Sequence, residues 1–145
     1  MLDPRTGESP AETAATDTAG GGRATACRGV RGAITVGPAP GGVDGATAEL
    51  LERMLKSNDA SVDEVAAAIF TLEDDLAGEN PAAAARAVGW DLVPLLMVRE
   101  HGGDGRVRRC LRVLLLLNTT RSQTEIQHVY LRDAVTLRPD LTPTP

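Results

Sequence analysis

The stretch RRCLRVLLLLN, residues 108–118, is the strongest structural signal in this sequence. Its apolar run, Val113 to Leu117, is short and bounded by polar residues, which favours a central β-strand covered on both faces. Arg112 lies at the mouth of the run. Because a guanidinium keeps its charge when it is buried, an anion must meet it there. That anion is either a protein carboxylate, for which Glu100 is the candidate, or a ligand.

The composition predicts one globular domain with a terminal extension. The chain has 145 residues, of which 42% are apolar but only 2% are aromatic, so its core must be built from Ala, Val, Leu and Ile. Since small side chains bury little area each, a subunit interface is an expected source of further burial. The net charge of -5 argues against a nucleic-acid partner. With neither a membrane-length apolar run nor a signal-peptide h-region, the sequence predicts a cytoplasmic protein without a membrane partner.

Regular structure is expected in several segments of the first hundred residues. Residues 1–26 are predicted to be a disordered extension, because they offer almost no large apolar side chain to offset the entropy of ordering. A strand is predicted over residues 28–36, a helix from Asp44 that stops at Asn58, and a short helix that starts after the N-cap Asn80 and ends at Gly89. The segment VAAAIFTL, residues 65–72, fits either a helix or a buried strand.

The segments around and after Glu100 are expected to complete the sheet. Residues 92–99, LVPLLMVR, predict a second buried strand, in which Pro94 indicates an edge or a bulge. Because only the turn 101–105 separates it from the central strand, the two strands are expected to pair, which would bring Glu100 near Arg112. A capping box, Ser122 with Glu125, predicts a short helix. A final strand is expected over residues 134–137, before a flexible tail, 142–145.

The candidate chemistry rests on arginines, because the usual catalytic motifs are missing from the sequence. There is no nucleophile triad, P-loop, dinucleotide-binding glycine motif or metal-ligand spacing, so no metal or cofactor is predicted. Cys27 and Cys110 are expected to be reduced, buried thiols. The remaining candidates are four arginines, one phenol and one carboxylate: Arg31, Arg86, Arg112, Arg138, Tyr130 and Glu100. Arginine forks suit carboxylates, so such a pocket would bind a small dicarboxylate with a hydroxyl for Glu100 to accept.

From residue 28 to residue 141 the sequence resembles the monofunctional chorismate mutases of the Bacillus type, the AroH class. The resemblance rests on RGVRGAIT at residues 28–35, VPLLMVRE at 93–100, CLRV at 110–113 and HVYLRDAVTLRPDL at 128–141. It implies an α+β domain over residues 27–141 with a five-stranded mixed sheet packed with helices. It also implies a homotrimer, a pseudo-α/β barrel with active sites between subunits.

The resemblance further implies the reaction, the [3,3] rearrangement of chorismate to prephenate in phenylalanine and tyrosine biosynthesis, without a cofactor. It assigns Arg112 to the ether oxygen, Arg31 and Tyr130 to a carboxylate, and Glu100 to the ring hydroxyl, with Arg138 closing over the site. The stretch Leu96, Met97, Val98 and Arg99, together with Glu100, would line the pocket.

Two departures from the family pattern lie at the start of the short helix that Asn80 caps. The family usually has an aromatic residue where Asn80 stands and often a lysine where Ala83 stands, so substrate affinity is in question more than chemistry. Two alternatives remain open on the residues: a trimeric enamine or imine deaminase, and a non-catalytic sensor that binds a carboxylate in the same cleft.

Overall fold

The computed structural model describes residues 22–101 and 107–141 and shows an α+β fold built on one mixed sheet of five strands. Most of the predicted extension, the turn after His101 and the predicted tail lie outside the described residues. The strands are β1 (Ala26–Thr35), β2 (Val65–Leu72), β3 (Leu95–Arg99), β4 (Cys110–Thr119) and β5 (Val129–Leu131). The α-helices are α1 (Gly42–Ser57) and α2 (Pro81–Ala87), and short 3₁₀ helices include Val62–Glu64, Gln123–Glu125 and Arg132–Leu137.

The predicted central strand is confirmed, because the strand order is β3-β2-β4-β1-β5. β4 pairs antiparallel with β1 and β2, while β5 runs parallel to β1 and β3 parallel to β2. The expectation that β3 and β4 are neighbours is wrong. The segment that could be helix or strand forms β2, and it occupies the place beside β4.

The main core lies on one face of the sheet. In β4, Val113, Leu115 and Leu117 are buried, whereas Leu114 between them is 38% exposed. The expected burial of this strand on both faces is therefore wrong for the single chain. Both α-helices contribute to the same core; on the opposite face, within the described residues, only the 3₁₀ helix Arg132–Leu137 packs against the strands.

Helix α1 follows its prediction closely. Thr47, Leu50, Leu51 and Met54 are buried, as the spacing on one helical face requires. The helix ends at Asn58, whose side-chain amide donates to the carbonyl of Met54 at 2.8 Å and to that of Gln127 at 2.9 Å. These bonds tie the end of α1 to the segment that leads into β5.

Residues 65–72 form a strand, and the segment after Asn80 forms a capped helix. In β2, pairing with β3 on one side and β4 on the other overrides the helix propensity of the alanines. Helix α2 begins as predicted, because the Asn80 side chain accepts the backbone N–H of Ala83 at 2.9 Å and Pro81 takes the first helical position. Gly89 follows the helix with φ +100°.

The second strand of the prediction, β3, is shorter and more exposed than expected. It begins at Leu95, directly after Pro94, and lies at the edge of the sheet. Leu96 is 56% exposed, Met97 41% and Val98 38%, so the prediction of a buried strand is wrong for the single chain. An edge strand has a neighbour on one side only, which accounts for this exposure.

The last strand is also misplaced in the prediction. β5 covers Val129–Leu131, and the expected strand at 134–137 lies in a 3₁₀ helix. At Arg132 the backbone has φ +56°, and its guanidinium donates to the carbonyl of Thr35 at 3.0 Å. Since β1 ends at Thr35, no strand edge remains for a longer β5. The capping box at Ser122 and Glu125 is present, but it caps only one 3₁₀ turn.

The two cysteines differ in burial. Both are free; Cys110 is fully buried, as predicted, while Cys27 is exposed, so that part of the prediction is wrong. Cys27 lies near the start of β1, where its partner on β4 is the exposed Asn118. No helix within the described ranges has the length and apolar character needed to cross a bilayer.

Candidate active site

One row of residues crosses four strands on the face opposite α1. Thr71 of β2 stands opposite Arg112 of β4, Arg112 opposite Ala33 of β1, and Ala33 opposite Tyr130 of β5. Directly opposite residues project to the same face of a sheet. The small side chain of Ala33 therefore separates a guanidinium from a phenol at one end of the sheet.

A cavity of about 520 Å³ lies over this row, within the size range of small-molecule pockets. Five of the residues proposed from the sequence share it: Arg31, Glu100, Arg112, Tyr130 and Arg138. The other lining residues are Gly32, Ala33, Thr71, Val113, Leu114 and Leu137. Three guanidinium groups and one carboxylate thus face one cavity in a chain whose net charge is -5.

Of the two partners considered for Arg112, the protein carboxylate is present, because Arg112 forms an ion pair with Glu100 at the centre of the site. Nη1 of Arg112 contacts Oε1 of Glu100, and the Thr71 hydroxyl donates to Oε2 of the same carboxylate at 3.1 Å. The backbone N–H of Glu100 donates to the carbonyl of Leu72 at 2.8 Å, just beyond the paired part of β3. Both the backbone and the carboxylate of Glu100 are therefore fixed by β2.

The charge of Arg112 is permanent in this setting. Burial is the largest single influence on the pKa of Arg112 and lowers it, but Glu100, Cys110 and Glu73 together outweigh burial, so the net shift is upward. Burial raises the pKa of the neighbouring Cys110 thiol, so the thiol adds no negative charge at neutral pH. Nε of Arg112 is buried and has no hydrogen-bond partner among the residues that the structure describes. The Arg112 side chain as a whole is 36% exposed and lines the cavity, so a ligand oxygen is a suitable acceptor for the part of the guanidinium that remains accessible.

Arg31 reaches the cavity from β1. The side chain is exposed and makes no hydrogen bond to residues 22–101 or 107–141. Its backbone N–H, in contrast, donates to Nδ1 of His128 at 2.9 Å. The Asp140 pKa is lowered chiefly by Arg138 and to a smaller extent by Arg31, so a carboxylate in the cavity would meet the Arg31 fork beside that side chain.

Arg138 and Leu137 approach the cavity from the C-terminal segment. Arg138 makes a two-pronged contact with Asp140, from Nε at 3.1 Å and from Nη2 at 3.0 Å, and this hydrogen bonding raises its pKa. Leu137 packs with Tyr130 against a small second core of Ala33, Val107, Cys110 and Ala134. That core anchors the segment carrying Arg138 to the strands that carry Arg112 and Tyr130.

The remaining residues proposed from the sequence lie elsewhere in the single chain. Leu96, Met97, Val98 and Arg99 lie on the exposed edge strand β3 and not in the lining of the cavity. Arg99 forms an exposed ion pair with Asp74 at 2.9 Å. Arg86 is exposed on α2, in the helix layer on the other side of the sheet.

Sequence reasoning missed two polar residues: Thr71, which lines the cavity, and His128, which bonds the backbone of Arg31 from outside that lining. Once residues 65–72 are known to form a strand, the alternation of side chains places Thr71 on the same face as Ile69, the face that carries Arg112 on β4. His128 had no such signal, because its partner is a backbone N–H 97 positions away. Within the described ranges no group of three or more His, Cys, Asp or Glu side chains is arranged to hold a metal ion.

Comparison with known proteins gives concordant results. Residues 27–141 match the family model described as chorismate mutase type I. The chain is 51% identical over 116 residues to a protein of Thermus thermophilus named chorismate mutase AroH, covering 79% of this chain and 95% of the relative. It is 35% identical over 119 residues to the protein of that name from Bacillus subtilis (strain 168), covering 81% of this chain and 94% of the relative.

A solved structure agrees with the sequence comparison. A chorismate mutase from Clostridium thermocellum superposes with a TM-score of 0.71 at 34% sequence identity. The match covers 74% of this chain and 97% of that one. The likeness therefore extends over almost the whole of the solved chain.

Proposed function

The chain belongs to the chorismate mutase type I family, and from this membership we propose that it rearranges chorismate to prephenate in the cavity that Arg112 and Glu100 line. The activity, that of an isomerase in aromatic amino-acid biosynthesis, follows from the family. The location and the roles of the residues are the proposal. The observation that carries it is the guanidinium of Arg112, which pairs with Glu100, is 36% exposed and shares one cavity with Arg31.

The reaction suits a set of candidate residues that includes neither a nucleophile nor a proton shuttle. A [3,3] rearrangement breaks a carbon–oxygen bond and forms a carbon–carbon bond within one molecule. The protein must hold a flexible dianion in its compact, chair-like form, which is a positioning effect. The cationic lining of the cavity favours a dicarboxylate, and its volume of about 520 Å³ is ample for a small one.

Arg112 is the proposed source of electrostatic stabilisation. As the ether bond parts, negative charge builds on its oxygen, and a fixed cation beside that atom lowers the energy of the transition state more than that of the ground state. The pairing with Glu100 supports this role, because it holds the guanidinium in one orientation before substrate arrives. Fixed donors need no reorganisation at the moment of reaction.

The other contacts divide between the two ends of the substrate. Arg31 and Tyr130, which lie on the neighbouring strands β1 and β5, would hold a carboxylate of the substrate. Glu100 would accept the ring hydroxyl with an oxygen already supported by Thr71. Arg138 would close over the site from the C-terminal segment. The alternatives raised on sequence grounds, an enamine or imine deaminase and a carboxylate sensor, are not favoured by the relatives.

We also propose that the enzyme works as a homotrimer of the pseudo-α/β barrel type, with chorismate bound between subunits. In support, the open face and edge of the sheet present apolar side chains to solvent in the single chain, among them Leu96, Val98 and Leu114. A contiguous apolar face of this kind is typical of an association surface. In such an assembly the stretch Leu96 to Arg99 on β3 would line the cleft. The domain division at residue 27 and the cytoplasmic location stay predictions.

The direct test of the function is the ultraviolet absorbance of chorismate. Purified protein should accelerate its loss far above the rate in buffer, without any added cofactor, and prephenate should appear in equal amount. No acceleration over buffer would refute the proposal. Tight binding of chorismate without turnover would instead support the sensor, and ammonia release from an enamine the deaminase.

A further inference from the structure

The outer edge of β1 is held by side chains where β5 has not yet begun. β5 pairs with β1 only from Gly32 to Ile34. Upstream of that, the Gln123 amide accepts the N–H of Gly29 at 3.2 Å and donates to its carbonyl at 2.8 Å. The next outward N–H, that of Arg31, donates to Nδ1 of His128 at 2.9 Å. Two side chains thus complete the pairing that a longer strand would supply.

The bond to Arg31 fixes the protonation state of His128. A ring nitrogen that accepts a hydrogen bond carries no proton, so the single proton of the neutral imidazole is on Nε2. Burial and the positive charges of Arg31 and Arg138 lower the pKa of His128, which agrees with a neutral ring. Arg53 of α1 and Tyr130 of β5 line the hollow beside the imidazole; Arg53 is a further positive charge, and neither supplies a negative one.

We propose that His128 is a positioning residue that holds the backbone of Arg31, and through it the Arg31 guanidinium, in place for the carboxylate of the substrate. β4 holds one edge of β1 at Arg31, where Leu114 stands opposite, and His128 supplies the bond on the other edge. The side chain of Arg31 makes no hydrogen bond within the described residues, so the position of this backbone limits where the fork can reach. Small displacements of binding groups cost substantial reactivity when a substrate must be held in one conformer.

The test compares two replacements of His128, and it rests on the proposed function. His128→Ala removes the acceptor, whereas His128→Asn keeps an oxygen at the same distance from the main chain as Nδ1. The alanine variant should raise KM for chorismate by roughly five- to tenfold with a smaller change in kcat, since one hydrogen bond to a binding group's backbone is lost. The asparagine variant should restore KM to within about twofold of wild type.

Gln123→Ala is the matched control, because it removes side-chain bonds to Gly29 on the same edge of β1. It should lower thermal stability as His128→Ala does but leave KM unchanged. Equal KM values in Gln123→Ala and His128→Ala would refute the inference, and so would a His128→Asn variant that does not recover the KM of wild type. In either case turnover by the wild-type protein would still support the proposed function. An inactive wild type would refute the proposed function and the inference with it.

A second readout does not depend on turnover. Nitrogen NMR at pH 7 should show His128 neutral with its proton on Nε2, and His101→Gln identifies which signals belong to it. A ring protonated on Nδ1 could not accept the N–H of Arg31. Finding that form, or an imidazolium, would overturn the inference.

Discussion

The hydroxyl of Thr71 donates to Oε2 of Glu100 at 3.1 Å, the carboxylate oxygen that is not bonded to Arg112. β2 therefore orients the only carboxylate that lines the cavity among the described residues, although β2 itself contributes no charged side chain to the lining. Each oxygen of the Glu100 carboxylate has its own partner, and the two contacts together restrain the rotamer of this side chain.

Thr71→Val should weaken catalysis without unfolding the protein. The replacement keeps the shape of the side chain but removes the donor, so Glu100 loses the bond that holds its second oxygen. We expect kcat/KM to fall roughly fivefold to tenfold, the range for one hydrogen bond of about 1 kcal/mol. Thr71→Ser, which keeps the hydroxyl, should stay close to wild type; a serine variant as impaired as valine would contradict this role.

Gly32→Ala should destabilise the fold. A Cβ at Gly32 would lie 2.3 Å from Sδ of Met54 and 3.2 Å from Cδ1 of Leu50, so these two fully buried side chains would have to repack. Overpacking of this kind costs about 1–3 kcal/mol of unfolding free energy. Gly29→Ala is the control on the same strand, because its nearest contact would be Cδ1 of Leu114 at 3.7 Å. Urea unfolding curves should separate the two, and equal midpoints would contradict the packing argument.

His128 should make the protein less stable in acid. Its pKa is lowered in the folded state by burial first and by Arg31 and Arg138 next. The unfolded chain therefore binds a proton more readily, so the stability from the neutral ring is present above the unfolded pKa and is lost as pH falls below it. The midpoint of urea unfolding should decline less between about pH 6.5 and 5 in His128→Asn than in wild type. Parallel declines would show that this side chain does not carry the effect.

The oligomeric state should be a trimer in solution. Leu96, Val98 and Leu114 are exposed on the edge and face of the sheet in the single chain, and a trimer would bury such a surface. Light scattering coupled to gel filtration should give three times the mass of one chain. Leu114→Glu places a charge on the open face of β4 and should dissociate the assembly and reduce turnover together. A fully active monomer would contradict both the assembly and a site shared between subunits.

The sequence was informative wherever one local pattern determined the structure. The run Val113 to Leu117 gave the central strand, and the cap at Asn80 gave the start of α2. Glu100 and Arg112 meet as expected, although the predicted reason is wrong: β2 lies between their strands, and Glu100 reaches Arg112 from just beyond the end of β3.

What the sequence left unresolved depends on distant parts of the chain. Alanine-rich β2 could not be assigned until its strand partners were known. The final strand was misplaced because its length is limited by where β1 ends, at Thr35. The exposure of β3 follows from its edge position, which no local pattern in LVPLLMVR determines beyond the hint of Pro94.

The most direct test of the central claim is the turnover number of Arg112→Lys. Lysine keeps the charge but replaces the planar fork, held by Glu100, with a mobile point charge. We expect kcat to fall by about 10²–10³, the range for loss of one preorganised donor. Circular dichroism should remain that of wild type, and Arg53→Lys on the exposed face of α1 should keep full activity. A folded Arg112→Lys enzyme that turns over within about threefold of wild type, far short of that range, would contradict the account.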